Sequence, residues 1–341
     1  TTLFRSEKPQ VLISGFADEG PADKKAESQL TMLAALGLSY YSLRFVDAGQ
    51  GTKNVMKLTQ REIARLRKLH GEFGVQVSSI GSPIGKVKLL DIDDGSANAY
   101  IPFDKYLKND VQRAVDLAGE FETRLIRGFS FYHPRGEDPG DYVEEAADRL
   151  IKIAEVCRRG GAIFGLEVEA NLIGQNGRLL QKLNKLVDHP NLCLIFDGGN
   201  LSSQNFTSVQ TVAEYRAMKA GIGWMHIKDY KIDPKLTWQG HVDEERLKNF
   251  VPADQGDSGH EEILRDFRAR IPALARKLKK QGVPGVFLDL EPHLKGGGQF
   301  GGFSGVDGFG VALRALLNLL DYVDIGYDLT NYGDIARQKA T

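Results

Sequence analysis

Cysteine, long apolar runs and an excess of charge of one sign are all missing from this sequence. Only Cys157 and Cys193 occur in 341 residues, both in apolar contexts, so no disulfide framework is needed and a reducing, cytoplasmic location is predicted. Because the chain begins Thr1-Thr2 without methionine, the removal of an N-terminal leader stays an open alternative. No apolar run reaches about 18 residues, which argues against a membrane-spanning helix. Lysine and arginine total 44 against 45 acidic residues, so no general attraction to nucleic acid or to anionic membrane is predicted.

A glycine-rich dinucleotide fingerprint is also missing. Residues 11–16 are predicted to form the first strand, but no Gly-x-Gly-x-x-Gly follows them. A nucleotide-binding doubly wound sheet therefore loses its main support.

The chain does contain a regular alternation of apolar runs of strand length with apolar residues at helical spacing. The predicted strands are 11–16, 40–45, 75–80, 124–130, 163–167, 192–197, 223–226 and 286–290. The predicted helices are 23–36, 60–73, 102–121, 142–159, 179–187, 209–219, 263–281 and 307–320. Eight such repeats without a break in composition predict an α/β fold, a single (β/α)₈ TIM barrel over residues 1–341 with a C-terminal tail of about 321–341. A long polar loop is expected at 231–259 and a mobile, glycine-dense loop at 296–310.

Four of the predicted strands end on, or run directly into, a residue that can bind a metal ion. These residues are Glu167, Asp197, His226 and Glu291. Parallel barrel strands bring all their C-terminal ends to one face, so the four side chains are expected to converge there. Three carboxylates with one imidazole suit Mn²⁺, Mg²⁺ or Co²⁺, with Zn²⁺ as a further alternative.

Such a site predicts proton chemistry next to a carbonyl group. A bound divalent cation would acidify the C–H bond beside a sugar carbonyl and stabilise the enediolate. Glu167 and Glu291 come from strands on different sides of the barrel and are the candidate acid–base pair. Return of the proton to the opposite face gives an epimer, whereas return to the neighbouring carbon gives an aldose–ketose isomer.

A single carboxylate after a strand is more often a helix cap or part of a loop ion pair. Glu169 and Asp289 illustrate this, since either could be the strand-end carboxylate if the register slipped by two residues. The loop histidines His241 and His260 are expected in solvent. The agreement of four suitable residues at four strand ends favours a shared metal site.

Further candidates lie near the same face. His133 follows the fourth strand as a proton shuttle or as a packing histidine, and Arg44 lies near the end of the second. Lys228 and Asp229 directly follow His226 and could orient it or bind a substrate oxygen, and His293 follows Glu291. Several aromatic residues are expected in the core or the pocket wall: Phe16, Phe129, Phe131 and Trp224.

Several motifs resemble the sugar phosphate isomerase/epimerase family of xylose isomerase-like proteins. They are Ile13-Ser-Gly-Phe-Ala-Asp-Glu19, Ser82-Pro-Ile-Gly-Lys86, Arg127-Gly-Phe-Ser-Phe-Tyr132, His226-Ile-Lys-Asp229, Gln255-Gly-Asp257 and Leu290-Glu-Pro-His-Leu294. The resemblance implies that Glu167, Asp197, His226 and Glu291 bind a divalent ion, commonly Mn²⁺, with the glutamates as acid and base. It also implies a small sugar substrate, and it leaves room for a homo-oligomer or a small accessory subunit.

One position departs from the family pattern. Many members carry Asp-x-x-His after the sixth strand, where this chain has Asp197-Gly-Gly-Asn200. The difference argues against an ordinary ketohexose epimerase and against a multi-zinc endonuclease.

The motifs also resemble the large subunit of C-glycoside deglycosidases, so a lyase acting on 3-keto-glycosides is the second interpretation, with His133 as its base. A sugar-binding protein without turnover is the third. The presence of both Glu167 and Glu291 counts against it, because binding alone needs no paired acid and base.

Overall fold

Eight parallel strands form the centre of the fold. The computed structural model describes residues 8–241, 246–296, 302–331 and 333–334. The central strands, in chain order, are β1 (Gln10–Gly15), β2 (Tyr40–Leu43), β3 (Gln76–Ile84), β4 (Leu125–Gly128), β5 (Ile163–Glu167), β6 (Leu192–Asp197), β7 (Ile222–Ile227) and β8 (Phe287–Leu290). Hydrogen-bonded pairing runs from β2 through β8 and on to β1. Because β1 also lies beside β2, the sheet closes and the predicted (β/α)₈ barrel is confirmed.

Helices follow the strands and cover the outside of the barrel. The longer ones are Ala26–Ala35, Gln60–Phe73, Gln112–Glu120, Val143–Arg159, Gly177–Val187, Ser208–Met218, His260–Arg268, Ile271–Lys280 and Gly305–Tyr322. Helix Phe103–Tyr106 continues through a π turn, Leu107–Val111, into Gln112–Glu120. Thr59 and Glu62 form a reciprocal cap at the start of helix Gln60–Phe73.

One predicted helix is two helices in the structure. The apolar period from 263 to 281 predicts a single element, but the chain forms His260–Arg268 and Ile271–Lys280. Pro272 lies in the first turn of the second helix. Because proline has no N–H group and its ring clashes with the preceding turn, it starts a helix readily but interrupts one from within.

The connecting segments contain short strands that the sequence did not predict. Phe45–Asp47 pairs with Thr52–Asn54, and Asp229–Tyr230 pairs with Phe250–Val251 across the long polar loop. In the expected tail, Gly326–Tyr327 pairs with β1. Residues 297–301 of the predicted glycine-dense loop, and 332 and 335–341 of the tail, lie outside the described residues.

Strand alternation determines which side chains enter the barrel. Residues two apart on a strand share a face, so His226 lies above Trp224 and Glu167 lies above Gly165. A Cβ atom on Gly165 would overlap the Trp224 indole, so the glycine makes room for the aromatic layer under the site. Both cysteines are free and buried, and no helix in the described ranges combines the length and the apolar character that a membrane span requires.

Candidate metal centre

The four predicted ligands lie together at the C-terminal mouth of the barrel. Glu167 ends β5, Asp197 ends β6, His226 lies in β7 and Glu291 directly follows β8. One ligand atom from each lies within 4.8 Å of the others, and all four residues are buried. The prediction that these side chains converge on one point agrees with this geometry.

The two ring nitrogens of His226 face different carboxylates. Its Nδ1 lies 3.0 Å from Glu167 Oε1, 3.5 Å from Glu291 Oε2 and 3.9 Å from Asp197 Oδ2. Its Nε2 lies 3.9 Å from Asp289 Oδ2, deeper in the barrel. Nδ1 is therefore the nitrogen that would bind a cation, and Asp289 faces the opposite nitrogen.

Asp289 is not the strand-end carboxylate. It pairs in register with His226 and accepts a 2.7 Å hydrogen bond from Ser42 Oγ. Glu169, the other alternative at a slipped register, forms an ion pair with Lys86 at 3.1 Å. The four converging side chains therefore follow the register predicted from the apolar runs.

Asp197 also begins a short helix, Gly198–Ser202. Its Oδ1 accepts a 2.9 Å hydrogen bond from the Asn200 N–H, which leaves Oδ2 turned toward His226. The Asn200 amide donates to Glu167 Oε1 at 3.1 Å and to the Val168 carbonyl at 3.0 Å. The asparagine that departs from the family pattern thus holds Glu167 in place.

Three cationic side chains reach the carboxylates. Lys228 Nζ lies 3.0 Å from Glu291 Oε2 and 3.1 Å from Asp197 Oδ2. Arg44 Nη1 lies 2.5 Å from Glu291 Oε1, and Arg127 Nη1 lies 3.5 Å from Glu167 Oε2. Buried carboxylates need such partners, because an unpaired charge in the interior is costly.

These charges set the protonation of the group. Burial raises the pKa of Glu167, but His226 and Arg127 outweigh it and lower that pKa to about 2. Burial lowers the pKa of His226, but Glu167 and Glu291 outweigh it and raise that pKa to about 10. Burial, together with Glu167 and Glu291 and against the effect of Lys228, raises the pKa of Asp197 to about 6.

Glu291 has a pKa well below its usual range. Burial opposes this, but Lys228, His226 and Arg44 stabilise the carboxylate. The carboxylates of Glu167 and Glu291 are therefore ionised at neutral pH, which is the form that binds metals and accepts protons.

The donor set fits a divalent cation. Three carboxylates and one imidazole nitrogen are within reach of one position, and oxygen-rich sets of this kind suit Mn²⁺ and Mg²⁺. Asp197 Oδ2 is buried and makes no hydrogen bond within the described residues, although Lys228 lies beside it. A cation between these atoms would give that oxygen a partner.

The other predicted site residues divide into two groups. Arg44 and Lys228 contact Glu291, and His293 Nδ1 lies 2.7 Å from Glu19 Oε1 near the same mouth. Together with Glu291, Glu19 and His293 form a second buried group that could hold an ion.

Asp229 and His133 make other contacts. Asp229 accepts backbone hydrogen bonds from Gly256 and Ser258 and lies 3.4 Å from His260 Nδ1. His133 is half-buried, and its Nδ1 is hydrogen-bonded to the Pro134 carbonyl at 2.9 Å. Substrate binding by Asp229 and proton transfer by His133 stay predictions.

Sequence reasoning missed four side chains around the site. Asp18 and Glu19 hold Arg44, Arg127 approaches Glu167, and His260 is buried rather than in solvent as expected. Asp18, Glu19 and Arg127 lie within motifs already noted, at the ends of β1 and β4, so strand-end position was a usable signal. His260 gave no such signal, because its partner Asp229 is 31 positions away in the chain.

Comparison with known proteins agrees with this architecture. A family model described as xylose isomerase-like TIM barrel matches residues 30–296. The chain is similar to a xylose isomerase-like TIM barrel protein from Mycobacterium smegmatis in complex with magnesium, with 19% identity, a TM-score of 0.59, and coverage of 92% of this chain and 96% of that chain.

Two further solved structures share the fold. One is the IOLI protein with a bound zinc atom, with 11% identity, a TM-score of 0.61, and coverage of 92% of this chain and 99% of that chain. The other is D-psicose 3-epimerase with D-tagatose from Clostridium cellulolyticum H10, with 14% identity, a TM-score of 0.53, and coverage of 92% and 98%. No curated protein matches the chain.

Proposed function

Since the chain belongs to the xylose isomerase-like TIM barrel family, we propose that it is a divalent-metal-dependent sugar isomerase or epimerase. The observation that carries this proposal is the buried convergence of Glu167, Asp197, His226 and Glu291, with ligand atoms within 4.8 Å of one another. A binding protein needs no such group of titratable residues on four different strands.

The proposed ligands are those four residues, and the proposed cation is Mn²⁺. Similar structures are described with magnesium and with zinc, and the same donor set also accepts Co²⁺. When bound, the cation supplies Lewis acidity to a carbonyl oxygen of the sugar.

Glu167 and Glu291 are the proposed acid–base pair. Both are ionised, so either can accept a proton from the carbon beside the carbonyl. The electron pair of the broken C–H bond then forms the carbon–carbon double bond of an enediolate. The first glutamate holds the abstracted proton and can return it to the neighbouring carbon, which exchanges aldose and ketose. Inversion requires the other glutamate to take up a proton from solvent and to deliver it to the opposite face of the same carbon.

The surrounding polar residues are suited to hold a small sugar. We assign Arg44, Lys228 and His293 to substrate binding, because Arg44 and Lys228 contact Glu291 and His293 lies at the same mouth. Asp229 supports this set from behind by holding the backbone of the 256–258 segment. Sugar hydroxyl groups accept hydrogen bonds from cationic donors of this kind.

Deuterium exchange tests the proposal. The purified protein, loaded with Mn²⁺, is incubated in D₂O with a panel of ketoses, aldoses and 3-keto-glycosides, and incorporation beside the carbonyl is followed by NMR. Glu291→Gln removes a proton acceptor but keeps the side-chain shape, so exchange is expected to fall at least about 100-fold.

Glu169→Gln is the matched control, because Glu169 pairs with Lys86 instead of with the four ligands. It is expected to exchange at the wild-type rate. Unimpaired exchange in Glu291→Gln would remove the acid–base role from Glu291. Tight sugar binding without exchange by the wild-type protein would favour the sugar-binding interpretation.

A lyase acting on 3-keto-glycosides is the second candidate. One observation favours it: the Pro134 carbonyl fixes the proton of His133 on Nδ1, which leaves the Nε2 lone pair available as a base. In the same panel, release of an aglycone would identify the lyase, whereas a new sugar with the aglycone retained would identify the isomerase or epimerase.

A further inference from the structure

Arg127 is a buried cationic residue beside the site that is not one of the four proposed metal ligands. It lies in β4, and its side chain is only 9% exposed. Its Nη1 is 3.5 Å from Glu167 Oε2 and 3.8 Å from Glu291 Oε1. The guanidinium therefore reaches toward both members of the proposed acid–base pair, where the reacting carbon of a substrate would lie.

The hydrogen bonds of Arg127 are incomplete, in contrast to those of Arg44. Arg44 donates from Nε to Asp18 at 3.2 Å, from Nη1 to Glu291 at 2.5 Å and from Nη2 to Glu19 at 3.3 Å. Arg127 makes one long hydrogen bond, to Glu167, and its buried Nε has no hydrogen-bond partner among the described residues. Buried donors are rarely left without a partner, so Arg127 has capacity for an acceptor supplied from outside the chain.

Aromatic rings hold the guanidinium without using its N–H groups. The Arg127 Cζ lies 5.0 Å from the Phe16 ring centroid and 4.9 Å from that of Phe129. Phe16 also contacts the His226 ring edge to face, at 5.2 Å. A cation over aromatic faces is stabilised by the ring quadrupole, so Arg127 is fixed beside the metal ligands while its donors stay available.

We propose that Arg127 is a catalytic residue that binds the substrate oxygen on which negative charge develops during proton transfer. The inference rests on the proposed function and adds a residue to it. When a glutamate takes the proton, the electron pair of the C–H bond moves into the new double bond and the carbonyl electrons move onto oxygen. Arg127 donates hydrogen bonds to that oxyanion and itself neither gains nor loses a proton.

Kinetics separate this role from simple substrate binding. On a neutral ketose that wild-type protein turns over, Arg127→Gln is expected to lower kcat by about 100- to 1000-fold, because removing one preorganised oxyanion donor has effects of that size. KM is expected to change less than about threefold, since the neutral carbonyl gains little from the donor. Arg127→Lys, which keeps the charge, is expected to recover part of kcat.

Other patterns would overturn the proposal. A rise in KM confined to sugar phosphates or sugar acids, with kcat unchanged, would show that Arg127 binds a permanent anionic substituent. A loss of Mn²⁺ affinity in Arg127→Gln, measured by electron paramagnetic resonance, would show that the residue only positions Glu167. Affinity within about threefold of wild type is expected instead.

A binding measurement decides the question without turnover. Oxalate is a planar dianion that resembles an enediolate, whereas dihydroxyacetone is a neutral ketose. Titration calorimetry of the Mn²⁺-loaded protein is expected to show oxalate binding weakened at least about tenfold by Arg127→Gln, and dihydroxyacetone binding nearly unchanged. Equal effects on both probes would overturn the role of Arg127, whereas absence of deuterium exchange with every sugar would overturn the proposed function instead.

Discussion

Asp289 and Glu291 lie two positions apart at the end of β8 and face the same interior, yet their surroundings differ. Glu291 contacts Arg44 and Lys228 at the mouth, while Asp289 lies below, 3.9 Å from His226 Nε2. Burial raises the pKa of Asp289, and His226 and Ser42 oppose the rise. A carboxylate behind a metal-binding histidine orients the ring and makes its other nitrogen a stronger ligand.

Asp289→Asn is therefore expected to weaken Mn²⁺ binding by about tenfold, because the amide lacks the charge that supports His226. Titration calorimetry or electron paramagnetic resonance measures the affinity. Glu169→Gln, which alters a carboxylate paired with Lys86, serves as the control and is expected to bind as wild type does. Equal affinities in all three proteins would contradict a role of Asp289 in supporting His226.

At this scale the sequence predicted the types of residue but not their contacts. The sequence allowed Glu167, Asp197, His226 and Glu291 to be predicted as site residues, because each follows or ends an apolar run. The incomplete hydrogen bonding of Arg127 could not be predicted from the sequence, because it depends on where Phe16 and Phe129 place the guanidinium. The burial of His260 depends likewise on a distant partner.

At the scale of elements, helix Gln60–Phe73 meets the barrel through a histidine. His70 Nε2 lies 2.8 Å from the Tyr41 hydroxyl, and its ring contacts Phe121 edge to face at 5.7 Å. Burial lowers the pKa of His70 to about 4. The folded protein therefore keeps this imidazole neutral at a pH where the unfolded chain protonates it.

Acid is expected to destabilise this packing between pH 6.5 and about 4. In that window the unfolded chain binds a proton at His70 that the folded chain does not bind. The contribution of His70 to the free energy of unfolding is therefore fully present above pH 6.5 and is lost as the pH falls toward 4. His70 accounts for about 2–3 kcal/mol of this loss, by the size of its pKa shift. Denaturant unfolding at pH 7 and pH 4.5, in EDTA, measures it.

His70→Gln keeps a hydrogen-bonding group for Tyr41 but does not titrate, so its stability is expected to change less with pH than that of wild type. His241→Gln alters an exposed histidine and is the matched control. Parallel pH profiles for His70→Gln and wild type would contradict the assignment.

The elements themselves were largely predictable. Apolar periodicity located the strands and most helices, because a barrel strand is buried on both faces and a covering helix on one. Pro272 could have indicated the break between the two helices, but the helical spacing of apolar residues on both sides of it favoured a single helix. The pairing of Asp229–Tyr230 with Phe250–Val251 was not readable, because two-residue strands carry no periodic signal.

At the scale of the whole molecule, the proposed metal ligands come from four consecutive strands of the eight-stranded barrel. They come from β5, β6, β7 and from the residue after β8, and the unfolded chain has no reason to bring them together. A cation that binds only the folded state stabilises it by mass action, by about 2.7 kcal/mol at 100 times its dissociation constant. The proposed metal binding is therefore expected to stabilise the whole fold as well as the site.

Metal binding is expected to release a proton and to strengthen as the pH rises. Without a cation, His226 is protonated at neutral pH, because Glu167 and Glu291 raise its pKa to about 10 against the effect of burial. Nδ1 must lose or transfer that proton to bind a metal, so Mn²⁺ affinity is expected to rise about tenfold per pH unit between pH 6 and 8. Calorimetry in two buffers of different ionisation enthalpy counts the released protons, with about one expected per Mn²⁺. His226→Gln is expected to bind more weakly and to lose most of this pH dependence, whereas a wild-type affinity that stays constant from pH 6 to 8 would show that His226 does not bind the cation.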